Sequence, residues 1–279
     1  MVRIVVDSNS QIPPVLVERF GITVVPLAVM VDGVQYLEGV DLDADDFYAR
    51  FQTGTPEVGT TQPSPGQFAV AYDSLVADGA EEILSVHIGS SVSGTVNAAR
   101  IAAAQITVPV RIVDTGTASF AVALCAWAAA EALDAGVSVE EAARAAEATA
   151  STVGNVFVVR ALDFARAGGR LAPTADEPAA GIPVLTIREG TMQVVGHAAD
   201  LAEAIDVMAE HVRAGGNDLR VGVGVADASL AHVWDEMEAR LVGVPGVREV
   251  VRYRIGPSVG THTGPGTVGV MYACAPTVT

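Results

Sequence analysis

Glu82-Ile83-Leu84-Ser85-Val86-His87-Ile88-Gly89-Ser90-Ser91-Val92-Ser93-Gly94-Thr95-Val96-Asn97-Ala98-Ala99-Arg100 is the stretch that decides the fold class. Its first seven residues, Glu82 to Ile88, form a short, mostly apolar run bounded by Gly and Ser, which reads as a buried strand. Ser93 then opens a helix that runs to about Ala104, and Val110 to Asp114 reads as the next strand. Two strands separated by a helix of this length pair most simply side by side and parallel, with the helix on one face of the sheet.

The same alternation extends towards the N-terminus. Arg3 to Asp7 and Ile22 to Leu27 read as strands around a helix near Pro13 to Phe20. Val29 to Leu37 carries Asp32-Gly33 between apolar runs, a hairpin signal. Asp43 opens an acidic helical turn and Pro65 a further helix. Towards the C-terminus, Thr117 to Leu133 is apolar almost all round, so as a helix it must be buried. It reads either as a plain central helix or as one wall of an apolar cavity. Ser138-Val139-Glu140-Glu141 then has the capping-box pattern of another helix start.

Beyond residue 150 the pattern changes. Asn155 to Arg160 reads as a strand and Pro183 to Val195 as a hairpin turning at Arg188-Glu189-Gly190. Leu201 to Arg213 and Ser229 to Leu241 read as helices, while Leu219 to Ala226, Arg248 to Ile255 and Thr267 to Cys274 read as strands. The expectation is an α/β protein of two domains. Residues 1–153 form an N-terminal, mainly parallel α/β sheet domain and residues 154–279 a C-terminal α+β sandwich.

Composition narrows the function classes. The chain has 279 residues, half of them apolar, and a formal net charge of −17. Clustered cations, which nucleic acid and anionic membrane surfaces require, are not expected on such a chain. All 16 basic residues are arginine, which removes Schiff-base chemistry and the P-loop lysine. The longest apolar run, Phe120 to Ala130, is shorter than the roughly 18 residues of a membrane span. The opening Met1-Val2-Arg3-Ile4-Val5-Val6-Asp7 reads as a strand, so a cytoplasmic location without stable membrane insertion is expected. Cys125 and Cys274 read as free thiols in apolar surroundings, and the five histidines show no metal-ligand spacing. No cofactor is expected.

Three polar clusters interrupt this background. Gly59-Thr60-Thr61-Gln62-Pro63-Ser64-Pro65-Gly66 reads as a hydroxyl-rich loop leading into a helix. Gly89-Ser90-Ser91-Val92-Ser93-Gly94-Thr95 joins a strand to a helix, where loop glycines and unpaired N–H groups favour an anion. Ser93 serves equally as a plain N-cap. Ile255-Gly256-Pro257-Ser258-Val259-Gly260-Thr261-His262-Thr263-Gly264-Pro265-Gly266 lies between two strands. Its Gly256-x-Ser258-x-Gly260 matches a serine-hydrolase nucleophile elbow with His262 close by, yet the elbow needs a helix after the serine, and here a glycine-rich loop is expected. Arg166-Ala167-Gly168-Gly169-Arg170 reads either as an oxyanion clamp or as solvated loop charge.

Taken in order, Val6-Asp7-Ser8, Thr60-Thr61-Gln62-Pro63-Ser64, Ser93-Gly94-Thr95, Asp114, Ser119, Gly168-Gly169-Arg170 and Gly260-Thr261-His262-Thr263-Gly264-Pro265-Gly266 resemble the DegV-like family of bacterial fatty-acid-binding proteins. The resemblance spans about residues 3–272. It implies a non-enzymatic carrier that holds a long-chain fatty acid, such as palmitate or oleate, between its two domains. Its carboxylate would meet hydroxyls at Thr60, Thr61 and Ser93, with Gly94 and Thr95 completing the helix start. His262 and Arg170 would flank the mouth. The resemblance further implies a possible partner, a fatty acid kinase to which some members present the acyl carboxylate. The chain departs from that pattern in two places. Ala198-Ala199-Asp200-Leu201-Ala202-Glu203 stands where relatives carry a basic stretch, and the segment from Arg170 to Pro183 is a few residues short.

Overall fold

The computed structural model describes residues 1–159, 181–188 and 191–275. The N-terminal half is built on strands β1 (Val2–Asp7), β2 (Thr23–Val25), β6 (Glu82–His87) and β7 (Val110–Asp114). They form one sheet in the order β2-β1-β6-β7, and every pair is parallel. Helices α1 (Pro14–Phe20), α3 (Pro65–Ala77) and α4 (Thr95–Ala103) connect these strands. Helices α5 (Phe120–Asp134) and α6 (Val139–Ala150) follow the sheet. The Ser138 side chain accepts from Glu141 N, completing the expected capping box.

A second, three-stranded sheet stands beside the first. Strands β3 (Ala28–Val31) and β4 (Val34–Leu37) make the hairpin, with Asp32 and Gly33 both at positive φ, as a tight two-residue turn requires. Strand β5 (Val58–Thr61) pairs on the other side of β3. Thr60 and Thr61, expected in a loop, are therefore ladder residues facing Val29 and Ala28. Period-two apolar alternation is missing from Gly59-Thr60-Thr61, and only pairing with β3 makes it a strand. Asp43 caps α2 (Ala44–Thr53), which lies alongside.

The C-terminal half is a six-stranded mixed sheet in the order β10-β9-β8-β13-β11-β12. Its strands are β8 (Gly154–Val158), β9 (Ile182–Arg188), β10 (Thr191–Ala198), β11 (Leu219–Val225), β12 (Val247–Arg254) and β13 (Val268–Cys274). Helices α7 (Leu201–Arg213) and α8 (His232–Leu241) cover one face, burying Ile205, Met208, Val233 and Met237 against Val156, Val221, Val223 and Val270. A short helix, α9 (Pro257–Thr263), links β12 to β13. The sequence suggested a plain glycine-rich loop there. Pro257 at the first helical position supplies the φ a helix start needs, and that cue outweighed the flanking glycines.

Helix α5 is the hinge of the packing. Val122, Cys125, Ala126 and Ala129 pack on the parallel sheet and α6, while Phe120, Ala123, Leu124 and Trp127 pack on Tyr253, Ile255 and Ala273 of the other half. Both faces are thus covered, which accounts for its uniform apolarity. A Cβ on Gly222 would lie 2.2 Å from the Phe120 ring, so β11 approaches α5 only because that residue is glycine. Buried Arg220 adds a polar tie, donating to Glu131 at 2.6 Å and Glu249 at 2.8 Å beneath the Trp127 ring. Cys125 and Cys274 are free thiols, and burial pushes the Cys125 thiol up to about 12.

Candidate functional site

A cavity of about 780 Å³ lies where the three sheets meet, within the range of roughly 300–1,000 Å³ common for small-molecule sites. One group of its polar residues is drawn together by the Thr60–His262 and Gln62–Gly94 contacts. Thr60, Thr61 and Gln62 come from β5 and the turn after it, Ser93 and Gly94 from the start of α4, and His262 and Thr263 from the end of α9. Away from them the wall is made by Ala150, Val153, Ile187 and Met271, with Asn155 beside Met271. The β8–β13 register orders these residues along the cavity. Phe157 pairs with Gly269 near the polar end, and Asn155 with Met271 farther away.

At the polar end Thr60 Oγ1 lies 3.1 Å from His262 Nε2. Ser93 Oγ lies 2.8 Å from Thr95 Oγ1 and accepts from Thr95 N at 3.3 Å. Ser93 precedes α4 and its oxygen stays at the helix start, where donors and dipole favour a negative charge. Gly94 has an ordinary φ of −76°, so its role is space. A Cβ there would sit 1.8 Å from Gln62 Oε1. Gln62 was quoted within its motif but not singled out as a site residue. Its side chain packs over Gly94 into the polar end, a contact between segments 32 residues apart that no local pattern announces.

Five of the seven expected site residues (Thr60, Thr61, Ser93, Gly94 and His262) line this cavity. Thr95 stands behind Ser93 and is fully buried. Arg170, with Arg166 and the Gly168-Gly169 pair, falls outside the described residues. Of the two readings of Thr117 to Leu133, the plain central helix is the one the structure has. Only Thr117, Ala118 and Ser119 reach the cavity, and the body of α5 is spent on packing between the two halves.

Ser119 carries the backbone strain of the site. Its φ of 61° and ψ of −151° fall in a region almost restricted to glycine. Asn9 Oδ1 accepts from Ser119 N at 2.8 Å, and the Ser119 side chain hydrogen-bonds Tyr253, whose buried hydroxyl is raised well above the usual phenol range by desolvation. This strained turn aims the segment from Thr115 to Ser119 along the cavity wall.

The loop carrying Ser93 is anchored from beneath by a buried polar chain. Asp7 Oδ2 accepts from Ile88 N at 3.0 Å and pairs with His87 Nδ1 at 2.9 Å. His87 Nε2 lies 2.6 Å from Ser85 Oγ, which lies 2.8 Å from Tyr72 Oη. Asp7, Tyr72, Ser85 and His87 each have 0 % exposure, and none lines the cavity. The connectivity Ser85–His87–Asp7 is that of a hydrolase triad, but no substrate reaches it. Gly89 N donates to Thr117 O at 2.7 Å, and a Cβ on Gly89 would strike Gly116, so the two wall loops are in direct backbone contact.

The hydrolase reading of Ser258 is tested by the same geometry. The helix missing from the sequence reading is present as α9, so the strand–helix context exists. The contacts differ from a triad. Ser258 Oγ accepts from Asn9 Nδ2 and Gln11 Nε2, each at 3.3 Å, while His262 Nε2 faces Thr60 instead. Ser258 N donates to Glu38 Oε1 at 2.8 Å, and Ser8 Oγ also donates to Glu38. Desolvation holds the Glu38 carboxyl above its usual range despite these bonds. Ser258 thus belongs to a knot joining the N-terminal segment, β4 and α9. Among the described residues no cluster of metal-ligating side chains occurs, and no helix is long and apolar enough to cross a membrane.

A family model described as the DegV family matches residues 1–275. A DegV domain-containing protein of Streptomyces coelicolor is 35% identical over 277 residues, covering 97% of each chain. Among solved structures, a DegV family protein of Thermus thermophilus, described for its fatty acid binding, superposes with a TM-score of 0.86 at 30% identity over 98% of this chain and 99% of its own. A DegV lipid-binding protein of Thermotoga maritima superposes with a TM-score of 0.85 at 27% identity over 98% of both. From the first strand to the last, the two-domain α/β chain described above belongs to the DegV family.

Proposed function

We propose that the protein is a non-catalytic carrier that binds one long-chain fatty acid, such as palmitate or oleate, in the cavity. The observation that carries this reading is one pocket lined both by a group of hydroxyls, a histidine and a helix start and by apolar side chains. Thr60, Thr61 and Ser93 hold the carboxylate in this proposal, with Gly94, Thr95 and His262 around them. Burying roughly 14 methylenes at ~0.8 kcal/mol each offers about 11 kcal/mol before ordering costs. The carboxylate needs donors as well, because an unpaired charge in an apolar site is prohibitive. The Thermus and Thermotoga relatives described as fatty-acid- or lipid-binding support the same ligand class.

The proposal includes a division into residues 1–153 and 154–279, with the ligand between them, and a kinase that receives the carboxylate. The segment from Ala198 to Glu203, which lacks the basic stretch that the resemblance associates with relatives, has a local task. Asp200 caps α7 by accepting from Glu203 N, and Glu203 accepts from Ala199 N. A kinase partner for this chain therefore reads a different surface from one that docks on cations there. The deciding experiment is mass spectrometry of lipid extracted after denaturing protein purified from a bacterial host. About one saturated or monounsaturated fatty acid per chain is expected. Absence of fatty acid, together with no uptake of added palmitate or oleate, would overturn the reading.

A further inference from the structure

A second pocket of about 270 Å³ adjoins the far, apolar end of the cavity and shares Val153, Asn155 and Ile187 with it. Its own wall carries Arg188 at the end of β9, His211 on α7 and Tyr272 on β13. Among the described residues it has no carboxylate, in a chain with 33 acidic residues against 16 arginines. Most of its other polar side chains are already engaged. Thr152 donates to Thr149 O, Thr186 donates to Asn155 O, and the Asn155 amide is bound to both backbone groups of Ile187. No hydrogen bond or ion pair among the described residues engages Arg188, His211 or the Tyr272 hydroxyl.

The pocket is built around the Tyr272 ring. A Cβ on Gly154 would lie 2.1 Å from it and a Cβ on Gly215 2.3 Å, so two glycines on different elements make room for it. His211 meets the ring edge-on with centroids 6.2 Å apart. Burial, and then the neighbouring Arg188 charge, holds the His211 imidazole below its usual range. Arg188 thus stands opposite an imidazole that resists protonation, and an anion seated between them would offset the Arg188 charge and favour the protonated ring.

We propose that the Arg188–His211–Tyr272 pocket is a binding site for a small oxyanion, a phosphate or a carboxylate. Arg188 supplies a forked charged donor, Tyr272 a neutral one and His211 a proton-dependent one. The oxyanion is either a free ion or the polar far end of a chain lying in the main cavity. The second source rests on the proposed fatty-acid binding, whereas the first does not.

Two arms of one experiment separate these sources. In the first, inorganic phosphate is titrated into the protein while the His211 ring is followed by NMR. Saturable binding is expected, with the His211 pKa rising, and Arg188→Gln should weaken affinity about tenfold or more. Tyr272→Phe should weaken it less, and both variants should take up palmitate like the parent. In the second arm, hexadecanedioate is compared with hexadecanoate. A tighter diacid whose advantage disappears in Arg188→Gln identifies the chain end as the source. Absence of both phosphate binding and diacid preference would overturn the proposal. Failure of palmitate to bind touches only the carrier reading and leaves the phosphate arm intact.

Discussion

Two histidines of this chain each sit beside a hydroxyl, in opposite surroundings. His87 lies between Asp7 and Ser85 with no exposure at all, inside the parallel sheet. His262 lies beside Thr60 on the wall of a cavity. By connectivity alone the buried set looks the more catalytic of the two. Access reverses that ranking, because a ligand can meet only the pair that faces an open volume, while the buried network can supply order alone. Histidine-bearing constellations in this family are therefore to be judged first by what volume they face.

The largest expected effect tests the buried member. Asp7→Ala leaves the Ile88 amide and the His87 ring without their acceptor in a dry core. A loss of about 3 kcal/mol or more in urea unfolding is expected, since breaking a buried pair strands its partner. His262→Gln should change stability by less than about 1 kcal/mol, in keeping with a half-buried position, while weakening fatty-acid binding. Equal stability losses for the two variants would erase the distinction.

The two glycine contacts offer a second contrast. Gly222→Ala drives a Cβ against the fully buried Phe120 ring and should cost about 2 kcal/mol, because an overpacked core has nowhere to relax. Gly94→Ala meets only the far end of the Gln62 side chain, which can swing away. It should leave thermal stability nearly unchanged and lower fatty-acid affinity by reshaping the polar end. A melting curve and a binding titration on each variant check both halves of the statement.

Ser93→Ala combined with Thr60→Ala removes hydroxyls from the cavity side alone. Hydrogen bonds to a charged acceptor are worth ~1.5–3 kcal/mol each, so affinity for palmitate should fall by at least one order of magnitude with the fold intact. Undiminished binding would place the carboxylate elsewhere.

The smallest effect concerns Glu38. Its folded pKa lies above the ordinary value of 4.5, chiefly through desolvation. Its contribution is therefore fully present below the unfolded pKa and is lost as pH rises through the folded value. Parent protein should lose stability relative to Glu38→Gln as pH rises above about 4.5. Parallel unfolding curves for the two proteins at acid and neutral pH decide it. A gap that stays constant across that window would show that Glu38 titrates alike in folded and unfolded chains.

The sequence by itself determined the elements whose signals are local. The apolar runs of β6 and β7, the capping box at Ser138 and the Asp32-Gly33 turn are each marked by residues close together in sequence, and all appear where those residues indicate. The motifs around Thr60, Ser93 and His262 were legible as a set because hydroxyls and glycines interrupt an otherwise apolar chain. Tertiary structure alone decided the rest. Gly59-Thr60-Thr61 became a strand only through pairing with β3. It also assigned α5 to packing and not to the cavity, since an all-apolar helix carries no mark of which neighbours cover it. Gln62 over Gly94, Asp7 beneath Ile88, and Arg188 beside His211 join residues far apart along the chain. Their meeting is a consequence of how sheets and helices pack, and no local periodicity encodes it.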